Sequence, residues 1–157
     1  VWTSPPLVMI QARNIFSALA EIDPSHLDLY AENYRSFIRE LVALDTALMQ
    51  VFSHKGQHDR FMVFHPSWGY FARAYGLTQV PIEIEGKAPK PAQLRELIEH
   101  AREHQIRVIF VQPQFSTQHA EFIAREIGGR VVFADPLAQD WTANLRRQAQ
   151  AFREAME

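Results

Sequence analysis

Residues 60–68, RFMVFHPSW, decide the fold class of this chain. Apart from Arg60, the first five residues are apolar, which predicts a buried strand, and the polar stretch His65-Pro66-Ser67 follows directly. Residues 68–75 then predict a short helix that Gly76 ends. A strand followed at once by a helix is the unit from which parallel sheets are built.

The same alternation continues to the C-terminus. Further strands are predicted at 79–84, 107–111 and 130–133, and further helices at 91–103, 116–127 and 141–156. Pro81 places the second strand at an edge of the sheet, because proline cannot donate a ladder hydrogen bond. The sequence therefore predicts an α/β fold, a three-layer lobe with about four parallel strands flanked by helices.

Two helices without any strand signal precede this lobe. Apolar residues at spacings of three and four predict one helix from Pro5 to Ile22 and a long one from about Asp23 to Val51. A helix of about 28 residues would extend roughly 42 Å, which is longer than a small domain is wide. Such a helix is expected to connect two bodies.

Composition excludes several classes of function. Sixteen Lys and Arg residues balance 18 Asp and Glu residues, giving a net charge of -2. This balance argues against nucleic acid as a partner. Because the chain has no cysteine, disulfides and thiolate metal ligands are excluded. No glycine-rich phosphate loop and no Gly-x-Ser-x-Gly elbow is present, so we expect the chain not to be an enzyme.

Polar side chains follow every predicted strand. In parallel α/β sheets, ligands bind beyond the carboxyl ends of the strands. The best pair of ligands is His65 and Asp135, since imidazole and carboxylate suit zinc or, with a wider range, manganese. Two ligands are too few for a tight zinc site, so the remaining ligands are expected to come from elsewhere. The other polar residues near this edge are Glu83, Glu85, Gln112 and Gln114.

Other interpretations of this pair stay open. A histidine after a strand often only caps a helix, and an aspartate before proline often only forms a turn. An α/β enzyme could use His65 as general base with Asp135 as its orienting partner. A polar sheet edge could also serve only to bind a partner protein.

The remaining histidines give weaker signals. His54 and His58 flank a loop glycine and could form a surface metal clip, although simple solvent exposure explains them as well. His100 and His104 stand at i,i+4 on a predicted helix, a spacing that can bind metal. His104 also lies at the helix end, where the helix dipole favours a partly charged imidazole.

Several separated motifs together resemble a known family. The chain resembles the C-terminal lobe and connecting helix of the zinc- or manganese-binding solute-binding proteins of ABC importers. The motifs that carry this resemblance are FHPSWGYFARAYGL at 64–77, IEGKAP at 84–89, VIFVQPQFS at 108–116, DPL at 135–137 and YAENY at 30–34.

The resemblance implies a two-lobed protein on the outer face of the cytoplasmic membrane, periplasmic or extracellular, that delivers its metal to a membrane permease. The metal would lie between the lobes, with one imidazole from His65 and one carboxylate from Asp135. Histidine at position 65, where manganese-type members often carry glutamate, points to zinc, with a manganese- or iron-binding member as the alternative. Glu85 and Gln114 are candidates for orienting these ligands by hydrogen bonds.

The resemblance also implies a division of the chain. Val1-Trp2 match the end of a family segment whose ligand histidine would immediately precede Val1. Residues 1–22 would then be a remnant helix of the N-terminal lobe, 23–53 the connecting helix and 54–157 the metal-binding lobe. Without the N-terminal lobe, the apolar face of the first helix should favour a homodimer or a swapped assembly.

Overall fold

The structure, a computed structural model, describes residues 1–53 and 59–157, so the predicted histidine clip at His54 and His58 lies outside the described residues. The helices are α1 Pro5–Ile22, α2 Leu27–Val51, α3 Gly69–Ala74, α4 Pro91–Glu103, α5 Gln118–Glu126 and α6 Trp141–Ala155, with a short 3-10 helix at Pro24–His26. The strands are β1 Arg60–Val63, β2 Thr78–Pro81, β3 Val108–Val111 and β4 Arg130–Phe133. No helix in the described ranges combines the length and apolar character needed to cross a membrane.

The four strands form one parallel sheet in the order β2-β1-β3-β4, which confirms the predicted α/β class. Strand β2 lies at an edge, as Pro81 predicts. It ends at Pro81, earlier than the predicted 79–84, because the chain turns back at Glu85 and Gly86, which both have positive φ. Ile84 and Lys87 pair across this turn.

The core has two halves, one on each face of the sheet. Because successive side chains of a strand point to opposite faces, Phe61 and Val63 join one apolar cluster while Met62 joins the other. The first cluster lies under α2, α3 and α6, and Phe152 of α6 stacks on Phe61 with ring centroids 4.4 Å apart. The second cluster lies under α4 and α5. The lobe is therefore three-layered, as predicted.

Helices α1 and α2 form a hairpin beside the lobe. Helix α2 has 25 residues, about 38 Å at 1.5 Å per residue. Its C-terminal half is buried through Leu41, Leu44 and Leu48, whereas its N-terminal half packs on α1, with Phe16 stacked on Tyr34 at 4.9 Å. Beyond this contact the hairpin leaves large apolar side chains exposed, including Ile15 at 61% and Ile22 at 75%.

Candidate metal-binding site

An open cavity of about 740 Å³ lies at the carboxyl ends of the strands. This is the edge at which the sequence predicts ligand binding, and the loops after β1, β3 and β4 form its walls. The lining residues are Val1, Trp2, His65, Pro66, Ser67, Gly69, Tyr70, Arg73, Gln112, Gln114, Phe115, Pro136 and Leu137.

The imidazole of His65 is held on two sides. Its Nδ1 forms a hydrogen bond with Oε2 of Glu83, and its ring stacks on Phe115 with centroids 5.0 Å apart. The Glu83 side chain is only 9% exposed, whereas that of His65 is 42% exposed. When the carboxylate accepts a hydrogen bond from the Nδ1–H group, the neutral imidazole keeps its lone pair on Nε2. Nε2 is therefore the nitrogen of His65 that can bind a metal.

The backbone that carries His65 is also held by a buried amide. The side-chain nitrogen of Gln112 donates to the carbonyl oxygen of His65 at 3.0 Å and to the hydroxyl of Ser67. Three residues after His65, the backbone amide of Trp68 donates to the side-chain oxygen of Gln79 at 2.8 Å. These bonds join the loop after β1 to β2 and to the end of β3, so the position of His65 follows from the sheet.

Asp135 lies in a turn after β4. Its Oδ1 accepts hydrogen bonds from the Leu137 amide at 2.9 Å and from the Gln114 side chain at 3.4 Å. Its carbonyl oxygen accepts from Asn144 of α6 at 2.7 Å. In the described part of the chain Oδ2 has no hydrogen-bond partner, so one carboxylate oxygen is available for a cation.

Only one of the two residues predicted to orient the ligands, Gln114, contacts the predicted ligand. Gln114 contacts Asp135, but Glu85 is exposed in the turn after β2 and does not reach His65. Glu83 takes that place because its amide donates to the Phe64 carbonyl at 3.0 Å and so extends the β1–β2 ladder beyond Pro81. The sequence did place Glu83 near this edge, but the choice between two glutamates depends on strand register.

His65 and Asp135 do not form a pair by themselves. Within residues 1–53 and 59–157 no hydrogen bond joins them, so Asp135 does not orient His65 as a general-base mechanism would require. Among the described residues, neither His65 nor Asp135 belongs to a group of three histidine or carboxylate side chains whose ligand atoms all lie within 4.8 Å of one another. His65 and Asp135 are thus two separate candidate ligands at the carboxyl ends of the strands.

The N-terminal segment closes one wall of the cavity. The indole nitrogen of Trp2 donates to the Pro136 carbonyl at 2.9 Å, and the indole nitrogen of Trp141 donates to the Trp2 carbonyl at 2.8 Å. Thr3 and Ser4 are buried. Residues 1–4 are thereby bonded to the loop that carries Asp135 and to the start of α6.

Comparison with known proteins gives one consistent group of relatives. A family described as zinc-uptake complex component A, periplasmic, matches residues 1–155. The high-affinity zinc uptake system protein ZnuA of Bacillus subtilis (strain 168) is 33% identical over 132 residues, covering 83% of this chain and 41% of that protein. The iron-binding protein YfeA of Yersinia pestis is 32% identical over 144 residues, covering 87% of this chain and 46% of that protein.

Solved structures agree with these relatives. A crystal structure of ZnuA superposes with a TM-score of 0.96 at 44% identity and covers all of this chain and 61% of that one. The laminin-binding protein Lmb of Streptococcus agalactiae, described as having adhesin and metal transporting activity, superposes with a TM-score of 0.90 at 27% identity, covering 100% of this chain and 63% of that one.

These relatives are named for metal binding, metal uptake or adhesion, which agrees with the prediction that the chain is not an enzyme. The chain spans about half the length of the curated relatives cited here. Since the family match extends over nearly the whole chain, this protein belongs to the family of periplasmic zinc-uptake components.

Proposed function

We propose that this chain is one lobe of a binding protein that captures zinc outside the cytoplasmic membrane and delivers it to the permease of an ABC importer. The observation that carries the proposal is the state of His65, whose Nδ1 is bonded to the nearly buried Glu83 and whose Nε2 is left for a ligand. A ligating histidine almost always donates its other nitrogen to such a partner.

Tight zinc binding at this site requires further ligands. Tight sites hold four, and His65 with Asp135 supplies two. A second lobe that closes over the cavity would supply the remainder. In this proposal residues 1–22 belong with that second lobe, 23–53 connect the lobes, and 54–157 form the lobe that carries His65 and Asp135.

The alternative cargo is manganese or iron. A relative from Yersinia pestis is named as an iron-binding protein, and carboxylate ligands accept either metal. The imidazole of His65 favours zinc over manganese, because nitrogen ligands suit the later transition metals. Selectivity therefore depends on His65 more than on Asp135.

The experiment is a metal titration by calorimetry on a two-lobed version of the protein. We expect one zinc ion bound tightly and manganese bound more weakly, with zinc affinity lost in His65→Ala and Asp135→Ala. Substitution of the exposed His26, which is on the 3-10 helix before α2, is the matched control. A two-lobed protein that binds neither metal would overturn the proposal.

The exposed apolar face of the α1–α2 hairpin affects the oligomeric state expected of this chain in isolation. A groove of about 420 Å³ between the two helices is lined almost entirely by apolar and aromatic side chains. We propose that the isolated chain covers this face by forming a homodimer or a swapped assembly. Light scattering should show a dimer that Ile15→Glu converts to a monomer. A monomeric parent chain at high concentration would contradict this expectation.

A further inference from the structure

The last turn of helix α4 and its C-cap residue His104 carry a cluster of side chains of metal-ligating type. His100, Glu103 and His104 each offer one ligand atom, and these atoms all lie within 4.8 Å of one another. The two imidazole rings are 4.4 Å apart between centroids. Residues three and four positions apart lie on one side of a helix, so the backbone itself holds the three side chains together.

One imidazole nitrogen of this cluster lacks a hydrogen bond within the described ranges. Nε2 of His100 is buried and has no hydrogen-bond partner among the residues that the structure describes. Buried polar atoms in proteins are normally satisfied, so an unpaired one calls for a ligand, an ion or a water molecule. Coordination of a metal ion is one way to satisfy it.

The charge state of His100 also suits a metal ligand. Burial, with help from the neighbouring His104 and from Arg60, lowers the pKa of His100. A lowered pKa favours the neutral imidazole, which is the form that binds a metal. Glu103 supplies one negative charge, and the carbonyl end of the helix favours a cation, whereas Arg60 opposes it.

The cluster lies near the amino ends of the strands, opposite the carboxyl ends where His65 lies. Helix α4 ends just before β3 begins, and His104 lines a small hollow with Arg60, which starts β1. The cavity at His65 lies at the carboxyl ends of the same strands. The two sets of ligands thus belong to separate places on the lobe.

We propose that His100, Glu103 and His104 form a second site for a divalent transition metal of the zinc class. Two histidines at i,i+4 on one helix face bind zinc in zinc proteases, and the order His-x-x-Glu-His occurs in one class of them. Zinc bonds of about 2.0–2.1 Å in tetrahedral geometry place ligand atoms about 3.3 Å apart, a distance that small side-chain rotations reach from the present arrangement. With three ligands from the protein, the fourth position is open to water, which makes the bound metal exchangeable.

The test is calorimetric titration of this chain with zinc alone, in a background of His54→Ala, His58→Ala and His65→Ala that removes the other candidate histidines. We expect one equivalent of zinc in this background. His104→Gln should weaken binding at least about tenfold, because even a partner of a metal ligand typically contributes 10–100-fold to affinity. His119→Gln, on α5, is the matched control and should leave the affinity unchanged.

A second readout separates coordination from indirect effects of folding. Zinc should shift the imidazole proton signals of His100 and His104 in the NMR spectrum and leave those of His119 in place, while circular dichroism reports that each variant is folded. Absence of zinc binding in the background overturns the second site, and so does an affinity in both His100→Gln and His104→Gln that equals the affinity of the background. Neither result tests the site at His65, because all these variants lack the His65 imidazole.

Discussion

Glu83 accepts a hydrogen bond from Nδ1 of His65 where the β1–β2 ladder ends. The carboxylate is nearly buried and the imidazole is half exposed, so the bond points the ring from the sheet toward the cavity. A bonded Nδ1 selects the tautomer in which Nε2 is free to bind a metal.

Replacing Glu83 should therefore weaken zinc capture by the two-lobed protein. We expect Glu83→Ala to lower zinc affinity roughly 10–100-fold, the usual effect of losing the partner of a ligating histidine. Calorimetry measures the change. Glu85→Ala is the matched control, since Glu85 is exposed two residues further on and does not contact His65. If Glu85→Ala weakens binding and Glu83→Ala does not, the orienting role belongs to Glu85.

Tyr75 ties α3 to the long helix α2. Its hydroxyl donates to Oδ1 of Asp45 at 2.8 Å, and burial together with this bond raises the pKa of Tyr75 well above its usual range. In Tyr75→Phe we expect about 1.5–3 kcal/mol less stability at pH 7, the usual contribution of a hydrogen bond to a charged group. Urea unfolding measures it, with the exposed Tyr70→Phe as control.

The effect of Tyr75→Phe should depend on pH. The folded pKa lies above the unfolded value of about 10, so the contribution of Tyr75 is fully present below pH 10. Above pH 10 the unfolded chain loses the phenol proton while the folded chain keeps it, which stabilises the unfolded state. The stability difference between parent and variant should thus shrink between pH 10 and pH 11. A difference that is constant across this range would contradict the assigned pKa shift.

Gly129 approaches the backbone of Arg107 closely. A Cβ atom at this position would meet the carbonyl oxygen, carbonyl carbon and Cα of Arg107, all within 3.1 Å. Because backbone atoms cannot rotate away, we expect Gly129→Ala to destabilise the lobe by about 2 kcal/mol, at the middle of the range for overpacking. In a chain of this size that lowers the Tm by roughly 4–8 °C.

Thermal unfolding checks this prediction, with Gly69→Ala as the control. A Cβ atom at Gly69, the first residue of α3, would lie 3.6 Å from the side-chain nitrogen of Gln79, an ordinary contact. Alanine is also the better helix residue, so Gly69→Ala should leave the Tm unchanged or raise it. Equal losses at the two positions would argue against a close approach at Gly129.

The sequence predicts those features that depend on local pattern. The apolar run at 60–64 and the proline at position 81 suffice for a buried strand and an edge strand, because burial and the missing amide act on the residue that carries them. The choice of Glu83 over Glu85 needs the register of two strands and a turn at Gly86. Trp2 meets Pro136 across 134 positions of sequence, and no periodicity encodes such a contact.

The bonds made by residues 1–4 have a mechanical consequence. The α1–α2 hairpin is attached to the lobe twice, once through α2 and once through Trp2, which is bonded to Pro136 and Trp141. A body attached at one point can rotate in three directions, whereas a body attached at two points keeps a single axis of rotation. Motion of the free end of the hairpin should therefore be confined to a hinge movement about that axis.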